Sequence, residues 1–155
     1  MIIYAHRAYV EGASPARENL PTAILEVLVE GFGVEIDLRK SEGQWYLGHD
    51  RPTYPIKVAD FDRPGVMFHL KTPDVPDLRF ADAFAIDHDP YSLTLRGKLW
   101  TNYGEPISSN SIACAPELVL NTEKLESFAR RSRKAFGVCT DFPRQFAALM
   151  KDFKE

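Results

Sequence analysis

Residues 34–38 read Val-Glu-Ile-Asp-Leu, and this alternation of apolar and acidic side chains constrains the fold more than any other part of the chain. Successive side chains of a β-strand point to opposite faces, so Glu35 and Asp37 share one face and the apolar residues share the other. Two neighbouring carboxylates repel each other, and a divalent cation such as Mg²⁺ or Ca²⁺ is a common compensator. Taken alone, the pair fits a solvated strand face better than a metal site, because Asp and Glu are mostly exposed in proteins; the motifs that follow it favour the metal site.

The segments before this strand predict a strand–loop–helix unit. Residues 1–5 form an apolar strand, residues 8–19 form a polar loop, and a helix with an apolar stripe runs from about residue 20 to the glycine at position 31. Pro21 suits the first turn of that helix. The opening of the chain is therefore expected to be a βαβ unit with parallel strands.

Apolar segments in the rest of the chain predict further elements. A turn at residues 42–43 leads into Trp45-Tyr46-Leu47, and the proline-rich segment 51–64 is expected to be a loop. The remaining expected strands and short apolar pieces are residues 65–71, 80–86, 98–103, 112–115, 118–120 and 135–140. Two helices are expected, one beginning with a cap at residue 121 or 122 and one covering residues 143–153.

Polar side chains capable of catalysis or metal binding recur at the ends of these strands. They are His6 and Arg7, Glu35 and Asp37, His69 and Lys71, Asp87 and His88, Asn102, and Thr140 and Asp141. The carboxyl ends of parallel strands gather at one mouth of a barrel. We therefore predict an α/β fold, a compact TIM-type (β/α) barrel that forms a single domain over residues 1–155. Full barrels take about 200 residues or more, so helices are expected to be reduced or missing between residues 50 and 120.

Composition limits the classes of partner. The net charge of −3 argues against binding to a nucleic-acid backbone. No apolar run is long enough to cross a bilayer, and the N-terminal residues lack the features of a signal peptide. Cys114 and Cys139 lie in apolar strand contexts, which indicates buried, reduced thiols of a cytoplasmic protein.

Four motifs occur in an order that resembles the glycerophosphodiester phosphodiesterases. They are His6-Arg7, Glu18-Asn19, Glu35-x-Asp37 and His49-Asp50. The segment 137–143, GVCTDFP, is similar to the closing strand of that family, and Trp100-Thr101-Asn102 to its penultimate strand. The wider superfamily includes phosphatidylinositol-specific phospholipases C, and its members are TIM-type barrels that act on lipid-derived phosphodiesters.

The resemblance implies a metal-binding role for Glu35 and Asp37. In the family a third acidic ligand usually precedes a lysine by two residues. Lys71 matches the lysine, but the acidic position is His69 in this chain. An imidazole ligand shifts the preference from Mg²⁺ or Ca²⁺ towards Mn²⁺ or Zn²⁺. His69 is therefore either a metal or phosphate ligand or a histidine hydrogen-bonded in the interior.

The resemblance also implies catalytic roles. His6 and His49 match the two histidines that act as general acid and general base, and which one is the acid does not follow from the sequence. Arg7 and Lys71 are expected to bind phosphate and to stabilise charge in the transition state. Trp100 is assigned to the substrate-binding residues, although a place in the core fits it as well.

The predicted function is that of a metal-dependent phosphodiesterase that hydrolyses a small glycerophosphodiester-like or sugar-phosphate diester by histidine acid–base catalysis. The alternative is a catalytically inactive barrel that binds a phosphate ester or sugar phosphate. Glu18-Asn19 is either part of the site or a cap for the following helix, and residues 87–89 form either a further site or a solvated turn. A shortened barrel exposes apolar flanks, so a homodimer remains an open expectation.

Overall fold

The computed structural model describes residues 1–85, 88–115 and 122–153, and these ranges contain ten strands and four short helices. In chain order the elements are β1 (Ile2–His6), α1 (Pro21–Val29), β2 (Gly33–Ser41), β3 (Gln44–Leu47), β4 (Tyr54–Ile56), α2 (Val58–Phe61), β5 (Val66–Leu70), β6 (Asp82–Phe84), β7 (Tyr91–Leu93), β8 (Leu99–Thr101), β9 (Ser111–Cys114), α3 (Thr122–Ser132), β10 (Gly137–Thr140) and α4 (Pro143–Asp152). The predicted short strand at 118–120, the predicted helix cap at residue 121 and Asp87 lie outside the described residues.

One mixed sheet, curled into a half-barrel, organises the molecule. Strand β1 lies between β2 and β10 and is parallel to both. On one side β2, β5 and β6 follow in parallel, and on the other side β10, β9 and β8 do the same. Strands β3, β4 and β7 add antiparallel pairs. The parallel strands place several carboxyl ends along one edge of the sheet.

The prediction of a TIM-type barrel is wrong. Such a barrel alternates each strand with a helix, whereas the hairpin strands β3 and β4 follow β2 directly and α2 is only four residues long. Prolines at positions 52, 55, 64, 73 and 76 explain part of this outcome. Proline removes a backbone donor and clashes with the preceding turn of a helix, so these connections form short strands and loops instead.

The predicted βαβ unit is confirmed. Helix α1 begins at Pro21, buries Ile24 and Val27 against the sheet, and ends before Gly31, whose φ of 88° suits glycine. Strand β2 continues past the predicted segment to the turn at Glu42 and Gly43, which connects it to β3. The sheet is thus wider than the sequence predicted, because β4 and β7 were not expected.

The two faces of the sheet have different cores, and this difference positions the site. Val34, Ile36 and Leu38 of β2 point outward into a core shared with α1. Helix α4 packs against β1, β10 and α3 on the same outer side. The opposite face holds an inner cluster of Tyr4, Met67, Phe84, Trp100, Ile112, Cys114 and Cys139. Glu35 and Asp37, the intervening residues of β2, therefore point into the curl of the sheet.

Both cysteines are buried and free, as expected. Cys114 and Cys139 are register partners on β9 and β10. Burial and the neighbouring Cys114 raise the pKa of the Cys139 thiol, so it stays protonated. Within the described ranges, none of the helices has the length and apolar character needed to span a membrane.

Candidate metal and acid–base site

Three buried side chains on the inner face of β2 and β5 form the candidate metal site. The parallel register pairs Asp37 with His69, and Glu35 lies one alternation earlier on β2. Their donor atoms all lie within 4.8 Å of one another. Nδ1 of His69 is 3.6 Å from Oε1 of Glu35 and 3.4 Å from Oδ1 of Asp37. The structure thus brings together the three predicted metal ligands, which we call the Glu35–Asp37–His69 cluster.

Each carboxylate of the cluster has one oxygen anchored and one oxygen directed at His69. Oδ2 of Asp37 accepts a hydrogen bond from Nδ2 of Asn19 at 2.9 Å and pairs with Nε of Arg7 at 3.2 Å. Oε2 of Glu35 accepts a hydrogen bond from the backbone N–H of Arg7 at 3.3 Å. Oδ1 of Asp37 is buried and accepts no hydrogen bond from the described residues. An unsatisfied buried oxygen among two carboxylates and an imidazole fits a divalent metal ion.

The loop after β1 holds these anchors in a constrained backbone. Arg7, Ala8 and Asn19 have φ values of 49°, 66° and 54°, which are uncommon for residues other than glycine. The backbone N–H of Asn19 donates to the carbonyl of Arg7 at 3.0 Å, and Oδ1 of Asn19 accepts from the N–H of Asp37 at 2.9 Å. Asn19 is therefore not a helix cap: Leu20 holds the cap position of α1, and its side chain makes no cap bond.

Burial and local charge shift the pKa values of the two carboxylates in opposite directions. Burial, followed by the charge of Asp37, raises the pKa of Glu35. Burial alone would also raise the pKa of Asp37, but the His69 ring next to it, the charges of Arg7 and Lys71 and the Asn19 hydrogen bond outweigh burial and lower that pKa. The nearby carboxylates in turn raise the pKa of Arg7, against the effect of its burial. Asp37 is therefore the permanently ionised member of the pair.

Substituting Glu35 with glutamine is expected to stabilise the metal-free protein by about 0.5–2 kcal/mol at neutral pH. The raised pKa means that the folded state binds the Glu35 proton more tightly than the unfolded state. Stability is therefore lost as the pH rises from the ordinary value of 4.5 through the folded-state pKa. Glutamine has the same shape and does not titrate, so the gain should vanish below about pH 4. Urea unfolding of wild type and variant at several pH values, with a chelator present, measures this gain in stability. A variant that is less stable than wild type at pH 7 would contradict this account.

His6 is held by Asp141 at the edge where the parallel strands end. Its Nδ1 is 2.7 Å from Oδ1 of Asp141, which directly follows β10, the parallel neighbour of β1. A carboxylate only accepts hydrogen bonds, so Nδ1 carries the proton. Nε2 is then free to accept a proton, and it lies 3.9 Å from Oε2 of Glu35. Histidine oriented by a carboxylate beside a metal site is suited to general base catalysis.

His49, the second predicted catalytic histidine, lies on the antiparallel side of β2. Nδ1 of its ring is 2.7 Å from Oδ1 of Asp50, and 31% of its side chain is exposed. Arg39 donates to the carbonyl oxygen of His49, and the N–H of Gly48 donates to the carbonyl of Asp37 at 3.1 Å. Among the described contacts, no hydrogen bond or ion pair joins the His49 ring to the Glu35–Asp37–His69 cluster. Its catalytic role stays a prediction.

The remaining predicted site residues lie on both sides of the cluster. Nζ of Lys71 is 3.7 Å from Oδ1 of Asp37, so Arg7 and Lys71 place positive charge on opposite oxygens of one carboxylate. Trp100 is 4% exposed and stacks on Phe84 with the ring centroids 4.1 Å apart. It is part of the inner core, and the ring of Phe84 lies between it and His69.

Comparisons of the chain with protein-family models, with curated proteins and with solved structures find no match. The resemblance to glycerophosphodiester phosphodiesterases therefore stays a prediction from four short motifs. What the molecule itself contributes is the geometry of the buried cluster and its charged neighbours.

Sequence reasoning did not assign the contacts that orient the cluster. The sequence leaves Asn19 open as a helix cap or a site residue, and it does not pair Asp141 with His6 or stack Phe84 on His69. Asp141 could have been paired with His6 if the first and last strands had been predicted to be parallel neighbours. A surface groove of about 720 Å³, lined by residues that include Pro21, Leu25 and Phe61, contains none of the predicted site residues.

Proposed function

We propose that this protein is a metal-dependent phosphodiesterase that hydrolyses a small glycerophosphodiester-like or sugar-phosphate diester. The main support is the placement of His6 with its free Nε2 towards the Glu35–Asp37–His69 cluster, where Asp141 holds the opposite ring nitrogen. The proposal includes a cytoplasmic location and no nucleic-acid partner, which rest on composition and on the free thiols. A homodimer is retained as an open part of the proposal.

Each charged group has a defined task in this proposal. A bound divalent ion, Mg²⁺ or Ca²⁺ with Mn²⁺ or Zn²⁺ as candidates because of His69, supplies Lewis-acid stabilisation of the phosphoryl oxygens. Glu35, Asp37 and His69 would hold it. Arg7 and Lys71, now paired with Asp37, would stabilise the negative charge that grows in the transition state. Nε2 of His6 would accept the proton of the nucleophile, which is water or a neighbouring hydroxyl of the substrate.

The leaving alkoxide needs a proton, and His49 is the proposed donor. Its ring is partly exposed and is paired with Asp50 in the same way as His6 is paired with Asp141. A histidine suits this task because it titrates near neutral pH. The substrate would have to bring the leaving group to His49, since no hydrogen bond or ion pair among the described contacts joins that ring to the cluster.

The same position of His49 favours a second candidate function. A protein that binds a phosphate ester without hydrolysing it needs the cluster and the cations Arg7 and Lys71. It does not need a histidine such as His49 to protonate a leaving group. The two candidates differ in a single observable, which is turnover.

Hydrolysis of an aryl phosphodiester and of glycerophosphocholine-type compounds tests the proposal. Protein freed of metal with a chelator is assayed with added Mg²⁺, Ca²⁺, Mn²⁺ or Zn²⁺. We expect turnover only with metal, and a loss of about 10²-fold or more in Glu35→Gln, because the ion loses a charged ligand. Glu42→Gln, in the exposed turn at the end of the same strand, should retain wild-type turnover.

Binding measurements separate the two candidates when turnover is absent. Saturable binding of a phosphate ester without hydrolysis by any of the four metals would support the binding protein. If the protein neither bound nor hydrolysed any of the phosphate esters, both candidate functions would be excluded. Equal turnover in Glu35→Gln and Glu42→Gln would contradict the assigned role of the cluster.

A further inference from the structure

We infer that the site selects a borderline transition-metal ion, with Zn²⁺ as its representative, over Mg²⁺ and Ca²⁺, and that Phe84 positions His69 for this purpose. The inference rests on the metal site of the proposed function and names the ion that this site would take. The cluster offers a metal ion one nitrogen donor, from His69, and two oxygen donors, from Glu35 and Asp37. Nitrogen ligands suit Zn²⁺ and its neighbours, whereas Mg²⁺ and Ca²⁺ take oxygen ligands.

An aromatic stack fixes the orientation of that nitrogen donor. The ring of His69 stacks on Phe84, with centroids 4.4 Å apart and planes inclined by 16°, and Phe84 stacks in the same way on Trp100. All three rings belong to neighbouring inner-face positions, and His69 pairs directly with Phe84 in the register of β5 and β6. Phe84 and Trp100 are 3% and 4% exposed. The ring of His69 is thus held flat against a rigid wall, with Nδ1 directed at both carboxylates.

The edge of the ring away from the carboxylates is also held. Nε2 of His69 is 3.5 Å from Nζ of Lys71. Rotating the ring by half a turn would bring Nε2 towards the carboxylates and would take Nδ1 away from both oxygens. The stack and the lysine together therefore favour the orientation in which Nδ1 is the ligand atom. Such supporting contacts fix the direction of a histidine ligand and tune metal affinity.

The two separations between the His69 nitrogen and the carboxylate oxygens agree with the spacing of ligands around a small tetrahedral ion. With bonds of about 2.0–2.1 Å, ligand atoms around tetrahedral Zn²⁺ are about 3.4 Å apart, whereas neighbouring ligands of octahedral Mg²⁺ are about 3.0 Å apart. Nδ1 of His69 is 3.4 Å and 3.6 Å from the two facing oxygens. The longer bonds of Ca²⁺ fit these distances too, but its preference for oxygen argues against it. Three protein ligands also leave the fourth position for substrate or water, as in catalytic zinc sites.

Calorimetric titration of the metal-free protein with Zn²⁺ and separately with Mg²⁺ tests the inference. Most sites with nitrogen ligands prefer Zn²⁺, so the measured quantity is the ratio of the two affinities and its change in variants. His69→Asp restores an all-oxygen site and should lower the Zn²⁺/Mg²⁺ ratio the most. Phe84→Leu keeps the histidine but removes the stack, and we expect it to lower the ratio by about 10-fold.

Phe128→Leu is the matched control. Phe128 is 2% exposed and packs on Phe146 in the outer core, so this variant loses a similar apolar ring without touching His69. It should melt at a lower temperature yet keep the wild-type ratio. Phe84→Tyr keeps an aromatic face and should retain most of the ratio. If the leucine variant does not fold, Phe84→Met, which also removes the aromatic face, replaces it in the comparison.

The outcomes separate this inference from the proposed function. A Zn²⁺/Mg²⁺ ratio that is the same in wild type and His69→Asp, or equally reduced in Phe84→Leu and Phe128→Leu, overturns it. So does the absence of Zn²⁺ binding by the wild type. Zn²⁺ binding with the expected ratios but without diester hydrolysis upholds the inference and rejects only the phosphodiesterase.

Discussion

Replacing His6 with alanine is expected to lower the rate of metal-dependent diester hydrolysis by about 10²–10⁴-fold, the usual contribution of a positioned acid or base. His6 is the one predicted catalytic histidine whose ring contacts both a carboxylate partner and the cluster among the described residues. The loss should appear in kcat, while KM for the diester changes little, because Arg7 and Lys71 remain. Steady-state kinetics with the aryl diester measure both constants.

Two further variants make this result specific. His88→Ala removes an exposed histidine that no part of the proposed site uses, and it should retain full activity. Asp141→Asn leaves His6 in place but removes the carboxylate that holds Nδ1, and we expect an intermediate loss. If His6→Ala retained wild-type kcat, His6 would not be the base, and the placement of the acid–base chemistry at this edge would be wrong.

Replacing Asp37 with asparagine is expected to destabilise the metal-free protein by about 3–5 kcal/mol. Asp37 is 0% exposed and compensates two cations, Arg7 and Lys71, whose side chains are 21% and 11% exposed. Asparagine keeps the shape of the side chain and can still bond to Asn19, but it removes the buried negative charge that faces both cations. Removing one partner of a buried ion pair costs far more than the net contribution of the pair. Urea unfolding at neutral pH measures the loss.

Asp74→Asn is the matched control for this change. Asp74 pairs with Lys40 at 3.5 Å, but its side chain is 41% exposed, so the cost should stay below about 1 kcal/mol. The deficit of Asp37→Asn also depends on pH. The pKa of Asp37 is lowered on folding, so its contribution is present above the ordinary value of 3.8 and is lost as the pH falls through the folded-state pKa. A deficit that grew on acidification would contradict this sign.

The two carboxylates are thus expected to respond in opposite ways, although they are two residues apart on one strand. Asp37→Asn should weaken the fold, whereas Glu35→Gln should strengthen it. The reason is that the cations and Asn19 are gathered at Asp37, while the ion pairs and hydrogen bonds of the Glu35 side chain within the described ranges come from the two histidines and a backbone N–H. A charged side chain that lowers the stability of the metal-free protein, as Glu35 is expected to do, is typical of functional sites.

The sequence predicted the local part of this arrangement well. A strand with period two places Glu35 and Asp37 on one face regardless of the rest of the fold. The same rule applied to residues 65–71 placed His69 on the polar face of another strand, and the structure brings the three together. Helix α1 followed from an apolar stripe between a proline and a glycine. In each case residues close in the chain determine the geometry.

The fold class did not follow from the same signals. Periodicity identifies strands but does not show whether the chain between two strands returns through a helix or a hairpin. The sequence shows that Trp45 and its neighbours are apolar, but it does not show that β3 pairs with β2 and β4. This pairing takes the place of the crossover helix of a barrel. It also determines where His49 lies, on a hairpin beside the site instead of at the end of a parallel strand.

Which side chains share a face follows from the local sequence, because it depends on the backbone geometry of a few consecutive residues. Which faces meet depends on the folded sheet: Asp141 reaches His6 across 135 positions of the chain, and Phe84 stacks on His69 through a pairing of separate strands. Such contacts arise because the curled sheet brings distant segments together and buries their shared inner face. The free energy gained by burying that face depends on the whole sheet, so no single segment of the sequence reveals it.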